Sequence, residues 1–329
     1  MTSALSVSVV IPVYNAERYI GKAIESALRQ THPPLEVIVI DDGSTDSTAD
    51  VANSFGDRIR CVRQANAGPA RARNRGVRES RGEFVAFLDA DDEWLPEHLE
   101  EAARVLDRHT DLVWFSGSYE RRTEGTEAPR PMRYSGPLEQ DAYIGDYFAA
   151  QAKTEFSWTG VMVIRKDVIV AEGGFDEELR GDEDVNLWFR IALQHPRIGH
   201  SRKVTAIYWV RPGSLTVAGA TSMAKRVPRF IRKLDRAAQA APAAARRQSE
   251  PLIALWVRYL VRYAISENNR EALAEVRAQY PHRLRLVQRC LLLAARFLPC
   301  PWIEAALGVG SRVKRLLKKL LGRASVCST

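Results

Sequence analysis

Three acidic points in this sequence have the residue types and spacing to do chemistry. Asp89-Ala90-Asp91-Asp92 follows the apolar run Glu83–Leu88. Carboxylates crowded at a strand end repel one another unless a cation joins them. Hard divalent ions such as Mg2+ or Mn2+ take such oxygens together with substrate phosphates. A solvated loop in which Asp92 caps the next helix accounts for the same triplet. Asp41-Asp42-Gly43-Ser44-Thr45-Asp46 follows a second apolar run. An Asp there accepts from a ribose hydroxyl or the imino N–H of a pyrimidine, although Asp, Gly and Ser also make ordinary turns. Glu183-Asp184 opens a later helix. A carboxylate there suits a general base if it faces the same crevice, and charge complementarity with a helix N-terminus explains it equally. Arg71, Arg73 and Arg75 alternate through 69–78, where one is placed to reach a phosphate and the others form a solvated face. The six histidines have no zinc-like spacing. No GxSxG, Walker-type or post-strand GxGxxG pattern occurs. This argues against a serine hydrolase, an NTPase and a nicotinamide enzyme.

The elements that must position these groups alternate. Val7–Val13 is an apolar, β-branched run. Ala16–Gln30 has helical spacing, with Asn15 as N-cap and Glu17 in the first turn. Strands follow at Leu35–Ile40, Ile59–Arg63 and Glu83–Leu88, and helices at Asp46–Phe55, Pro69–Arg78 and from Pro96 to His109. Strands apolar throughout and alternating with helices indicate a parallel sheet covered on both faces. Ligands of such sheets sit at the carboxyl ends of the strands, where Tyr14-Asn15, Asp41-Asp42 and Asp89–Asp92 fall. Further on, Leu112–Tyr119, Gly160–Ile164 and Ala206–Val210 read as strands, Glu120–Pro137 as a polar loop and Glu183–His195 as an amphipathic helix.

The chain has 329 residues, 46% hydrophobic and 27% charged, which are globular values. Its net charge of +8 hides an asymmetry. Residues 221–329 hold 22 Lys+Arg against 6 Asp+Glu, and residues 1–220 hold 26 against 34. We therefore expect a catalytic domain over 1–220 and a helical, basic C-terminal region over 221–329. The acidic body speaks against nucleic acid, and the basic region suits an anionic membrane surface. Helical periodicity runs through Pro251–Ile265 and Ala272–Val276, and Val313–Leu321 forms a basic amphipathic helix. The most apolar stretch, Leu284–Leu298, is broken by Arg285, Arg289 and Arg296, so a spanning helix is not expected. Cys61, Cys290, Cys300 and Cys327 form no CxxC pair, and Met1–Val13 has no basic leader region. A cytoplasmic protein, peripheral on the inner membrane face, is the expectation.

Taken in order, these segments resemble family 2 glycosyltransferases of the GT-A fold. The matching stretches are Val9–Asn15 with Glu17, Val37–Asp46, Asn66–Gly76, Gly82–Asp92, Gly173-Gly174-Phe175-Asp176, Glu183–Arg190 and Arg211–Thr216. They cover roughly residues 5–216, and the chain beyond about 222 has no counterpart in the resemblance. The resemblance implies a Rossmann-like, mostly parallel sheet flanked by helices and a nucleotide-sugar donor, UDP by family habit, with dTDP and GDP open. It implies that Pro12, Tyr14 and Glu17 line the nucleotide pocket, with Asp42 on the base or ribose. Asp89 and Asp91 would form the DXD element and hold a divalent metal, Mn2+ or Mg2+, Asp91 most directly. Asp184 would be the base, with Glu183 the neighbouring candidate, and Arg73 and Arg211 would contact the diphosphate.

One base and no covalent nucleophile predict a single in-line displacement with inversion, unlike the carboxylate pair of a glycoside hydrolase. The acceptor is then a hydroxyl of a glycan or glycolipid, and a role in polysaccharide or cell-envelope synthesis follows by analogy. Two other readings stay open: a nucleotidyltransferase, and a non-catalytic sugar-nucleotide-binding or scaffold protein of a membrane glycan assembly.

Overall fold

The computed structural model describes residues 5–125, 129–132, 134–154, 156–179, 181–211 and 223–297. The described residues within 1–219 and 233–252 form one compact unit, and those within 220–232 and 253–329 a second.

The first unit is built on β1 (Val7–Val13), buried along its whole length, flanked by β2 (Glu36–Asp41) on one side and β4 (Phe84–Phe87) on the other. Both pairings are parallel, with Val13 opposite Asp41 and Val10 opposite Phe87. β3 (Arg60–Arg63) extends the sheet beyond β2. The chain thus winds outward from β1 in one direction and then crosses back to its other side. That reversal leaves a crevice at the carboxyl ends of β1 and β4, where α/β sheets bind ligands.

Helix α1 (Ile20–Leu28) follows β1, and α2 (Thr48–Asn53) follows β2. α3 (Pro69–Glu79) lies against β1 so closely that a Cβ on Gly76 would stand 2.2 Å from Val10 Cγ1. Only hydrogen fits there, which sets the height of the α3 side chains above the sheet.

Beyond β4 the sheet is mixed. β5 (Glu93–Trp94) and α4 (His98–Leu106) lead to the long β6 (Trp114–Thr123), its antiparallel neighbour β7 (Arg130–Met132), and β8 (Tyr143–Ile144). After α5 (Tyr147–Gln151), β9 (Met162–Arg165) inserts antiparallel between β4 and β6. α6 (Lys166–Ala171) and α7 (Glu183–Gln194) precede β10 (Ile198–Val210), which runs parallel to β6. The order is β3-β2-β1-β4-β9-β6-β10-β5.

The expected α/β, GT-A-type architecture is present, with specific differences from the sequence reading. α1 begins at Ile20, not Ala16, because the polar groups of 15–17 bond to the 44–48 loop instead of capping a helix. Asn15 Oδ1 accepts from Thr45 N at 2.8 Å, and Glu17 accepts from Ser47 N at 2.9 Å. Part of the expected 120–137 loop is strand. Pro131 is tolerated because, among the described residues, β7 pairs with β6 alone, as an edge. β10 starts eight residues earlier than expected from Ala206, since register shifts between Ser201 and Ala206 break its alternation.

His98 is fully buried against the Trp94 ring, with Nδ1 2.9 Å from Thr205 Oγ1. Burial pushes its imidazole down to about 3, and burial pushes His200 down to about 4. An imidazole neutral in the fold gains a proton on unfolding below its ordinary value of 6.5. The unfolded chain then binds more protons, so this contribution to stability is present above that value and is lost as pH falls. The melting temperature is expected to drop between pH 7.5 and 5, and His98→Gln should show a smaller drop than the wild type. Equal drops would mean that His98 is not held neutral.

The C-terminal helices are α8 (Met223–Ala240), α9 (Ala243–Ser266), α10 (Arg270–Gln279) and α11 (Leu286–Phe297). In the second unit Phe230 meets Trp256 edge-on at 4.7 Å, and Leu260 is fully buried. In the first unit Lys233 reaches Asp176 and Glu178, the latter at 2.8 Å. Among the described residues no helix is long and apolar enough to cross a membrane. The expected basic helix at Val313–Leu321 and the Pro212–Thr216 segment lie outside the described residues.

Candidate active site

The site grows from the polar residues that end β1, β2 and β4. Pro12 is buried within β1 opposite Ile40, and Tyr14, the first residue past the strand, is 50% exposed. Glu17 is spent on the neighbouring loop, as above. Asp42 is buried, and its carboxylate accepts from Gln64 Nε2 (2.8 Å), Ala67 N (3.0 Å) and Gly68 N (2.7 Å). In this structure Asp42 therefore folds the loop that enters α3, where Gly68 takes a φ of +93°.

Arg73 links distant parts of the site. From α3 its guanidinium donates to Asp89 Oδ1 at 2.8 Å and to Glu183 Oε1 at 2.9 Å. It lies 5.5 Å from the Phe175 ring and is buried. Burial alone would lower its proton affinity, but Asp89, Glu183 and Asp184 raise it above the ordinary value, so the charge is locked on. Burial pushes the Glu183 carboxyl up; Arg73 pulls it down and Asp184 pushes it up. With both terminal nitrogens committed to carboxylates, Arg73 acts as a strut between the acidic strand end and the first turn of α7.

Asp91 and Asp92 differ sharply. Asp92 is buried and accepts from Trp209 N at 2.7 Å, which ties the acidic turn to β10. Burial, then Asp91 and Asp89, raises its carboxyl well above the ordinary range. Asp91 is partly exposed; burial and the neighbouring Asp89 push it up while Arg211 pulls it down. Arg211 Nη1 donates to the Asp91 carbonyl and stands 3.8 Å from its carboxylate. Two neighbouring carboxylates repel one another less when a hard divalent ion lies between them. Among the described residues no cluster of three or more His, Cys, Asp or Glu is arranged to hold a metal. Asp89 and Asp91 supply carboxylate oxygens, the donor type that hard divalent ions take together with phosphate and water oxygens.

Asp184 sits one residue into α7, beside the strut. Its Oδ2 accepts from the Thr159 hydroxyl at 2.7 Å, and its Oδ1 from Val185 N. Glu183 faces Arg73 and Asp184 faces Thr159, so the structure separates two carboxylates that adjacency in sequence could not.

Sequence reasoning missed Thr159, because Trp158-Thr159-Gly160 carries no motif. It also missed Asn74, which exchanges hydrogen bonds with the Phe175 backbone, both at 2.8 Å. A Cβ on Gly174 would stand 2.5 Å from Asn74 Oδ1, which explains the glycine before Phe175.

Residues 8–170 match the model described as glycosyl transferase family 2. Over this segment the chain is similar to glycosyl transferase family 2. It is 35% identical over 178 residues to the uncharacterized glycosyltransferase YibD of Escherichia coli, covering 52% of this chain and 51% of that protein. It is 39% identical over 158 residues to the putative glycosyltransferase EpsH of Bacillus subtilis, covering 46% of this chain and 45% of that one. The chain thus spans about half the length of these curated relatives. Its fold is similar to that of Staphylococcus aureus TarS 1-349 in complex with UDP-GlcNAc, with a TM-score of 0.66 at 21% identity, over 88% of this chain and 87% of that one. It is also similar to the mannosyltransferase PcManGT of Pyrobaculum calidifontis in complex with GDP-Man and Mn2+, with a TM-score of 0.55 at 20% identity, over 95% and 87%. The family similarity and the GT-A-type sheet agree with the strand-end chemistry described above.

Proposed function

We propose that this protein is an inverting glycosyltransferase that moves a sugar from a nucleoside-diphosphate donor to an acceptor hydroxyl. The observation that carries this reading is the Arg73 strut. One buried guanidinium holds Asp89 and Glu183, which brings the acidic strand end and the first turn of α7 into one crevice.

The nucleotide lies against the ends of β1 and β2, with the base beside Tyr14 and Pro12. Asp42 and Glu17 shape that floor through the loops they hold. Asp89 and Asp91 would hold a divalent ion, which would supply positive charge to neutralise the diphosphate. Arg211 adds a fixed positive charge beside Asp91. Asp184 takes the proton from the acceptor hydroxyl at its carboxylate, oriented by Thr159. Arg73 keeps Glu183 away from that task. The UDP-sugar and GDP-sugar complexes of proteins of similar fold support a nucleotide sugar as donor, and the Mn2+ complex supports the metal.

The test is calorimetric titration of UDP with and without Mn2+, beside Asp91→Ala. Metal-dependent binding is expected, at least about tenfold weaker in the variant, since a charge-assisted ligand interaction is removed. Folded wild-type protein that binds none of UDP, GDP and dTDP would overturn the reading.

A further inference from the structure

Next to Asp91 the protein has a cleft of about 710 Å3 whose lining includes Arg18, Tyr19, Lys22, Glu124, Trp209 and Arg211. Its charges are not balanced locally. Arg18 and Lys22 are exposed, and neither has a carboxylate partner among the described residues. Glu124 is the one carboxylate among the described lining residues.

Arg211 is buried in the wall, with its guanidinium 4.0 Å from the Tyr19 ring and 5.4 Å from the Trp209 ring. The Trp209 indole is itself held, donating to Glu93 Oε1 at 2.9 Å. Arg18 and Lys22 line the same cleft as exposed cations.

The position of those cations breaks a local rule. α1 starts at Ile20 with no side-chain cap and no acidic residue in its first turn. A helix N-terminus favours anions, so Arg18 just before it and Lys22 in its first turn add like charge to a positive end. Such local conflict is found where function needs it. An anion between Arg18 and Lys22 would remove the conflict. A phosphate, with about two negative charges at neutral pH, matches two unpaired cations better than a carboxylate does.

We propose that this cleft binds the phosphate of a phosphorylated acceptor, an inference that rests on the transferase reading above. Sugar phosphates and lipid-linked phosphates share that chemistry.

The test uses the full chain saturated with UDP and Mg2+, so that the donor site is filled. Glucose 6-phosphate and farnesyl phosphate in neutral detergent are titrated in turn, with glucose as the uncharged control. Wild-type protein is compared with the double variant Arg18→Glu/Lys22→Glu, whose altered side chains are exposed and outside the core. One phosphorylated probe is expected to bind about tenfold or more weakly in the variant, with UDP affinity within about twofold and with sensitivity to salt. The probe that binds names the source, sugar or lipid. The proposal is overturned if neither probe binds the wild type, if glucose binds as well as its phosphate, if the variant binds equally, or if the variant loses UDP in parallel. If the wild type fails to bind UDP, the donor reading falls by itself, and the two phosphate probes are then read on the nucleotide-free protein by the same criteria.

Discussion

Asp184→Asn is expected to slow sugar transfer by about 10²–10⁴-fold, the contribution of a positioned general base. The substitution is nearly isosteric. An asparagine oxygen still accepts from the Thr159 hydroxyl, which lies 2.7 Å from Asp184 Oδ2, and only the local contact from Val185 N to Oδ1 is given up, so the start of α7 should be little disturbed. What the amide cannot do is take the acceptor proton. The loss should therefore fall on kcat, with UDP affinity within about twofold of wild type, because an interaction made only as the new bond forms has been removed. Nucleotide release measured with the donor that the wild type uses reads this directly. A variant that turns over at the wild-type rate would remove Asp184 from the role. In that case Glu183→Gln becomes the decisive comparison, although its partnership with Arg73 predicts a structural defect there as well.

Arg73→Met is expected to cost about 3–5 kcal/mol of folding stability, the range for removing one partner of a buried ion pair. Two carboxylates lose their counter-ion together: Glu183, 6% exposed, and Asp89, which is less buried. For a unit of this size that corresponds to a fall in Tm on the order of 10 °C. The pH dependence has a definite sign. Burial already raises the Glu183 carboxyl, with Arg73 opposing the rise. Without Arg73 the value rises further. A carboxyl whose folded value is raised stabilises the fold when protonated and loses that contribution as pH climbs through the raised value. The gap between wild type and variant should therefore be wider at pH 8 than at pH 5. Arg73→Met/Glu183→Gln should recover part of the loss, since the stranded charge is gone. A pH-independent gap, or no recovery in the double variant, would show that the strut is not what the substitution removed.

The sequence by itself determined the parallel βα start, the place of the crevice and the acidic residues that line it. These follow from local rules. Apolar runs such as Val7–Val13 must be buried strands, and polar groups left at their carboxyl ends meet where the winding reverses. Tertiary structure decided what each polar group does there. Asp42 looks free in sequence but is taken up by the 64–68 loop; Asn15 and Glu17 read as helix-start residues but bond to the 44–48 loop. Glu183 and Asp184 are neighbours in the chain, yet one meets Arg73 and the other Thr159. β9 runs antiparallel between β4 and β6, and a bulged β10 closes the acidic turn through Asp92 and Trp209. None of these partners is near in sequence. Arg73 and Glu183 are 110 residues apart, and such a pairing leaves no periodicity to read. A hydrogen bond or ion pair depends on which groups packing brings within about 3 Å, and packing is a property of the whole fold.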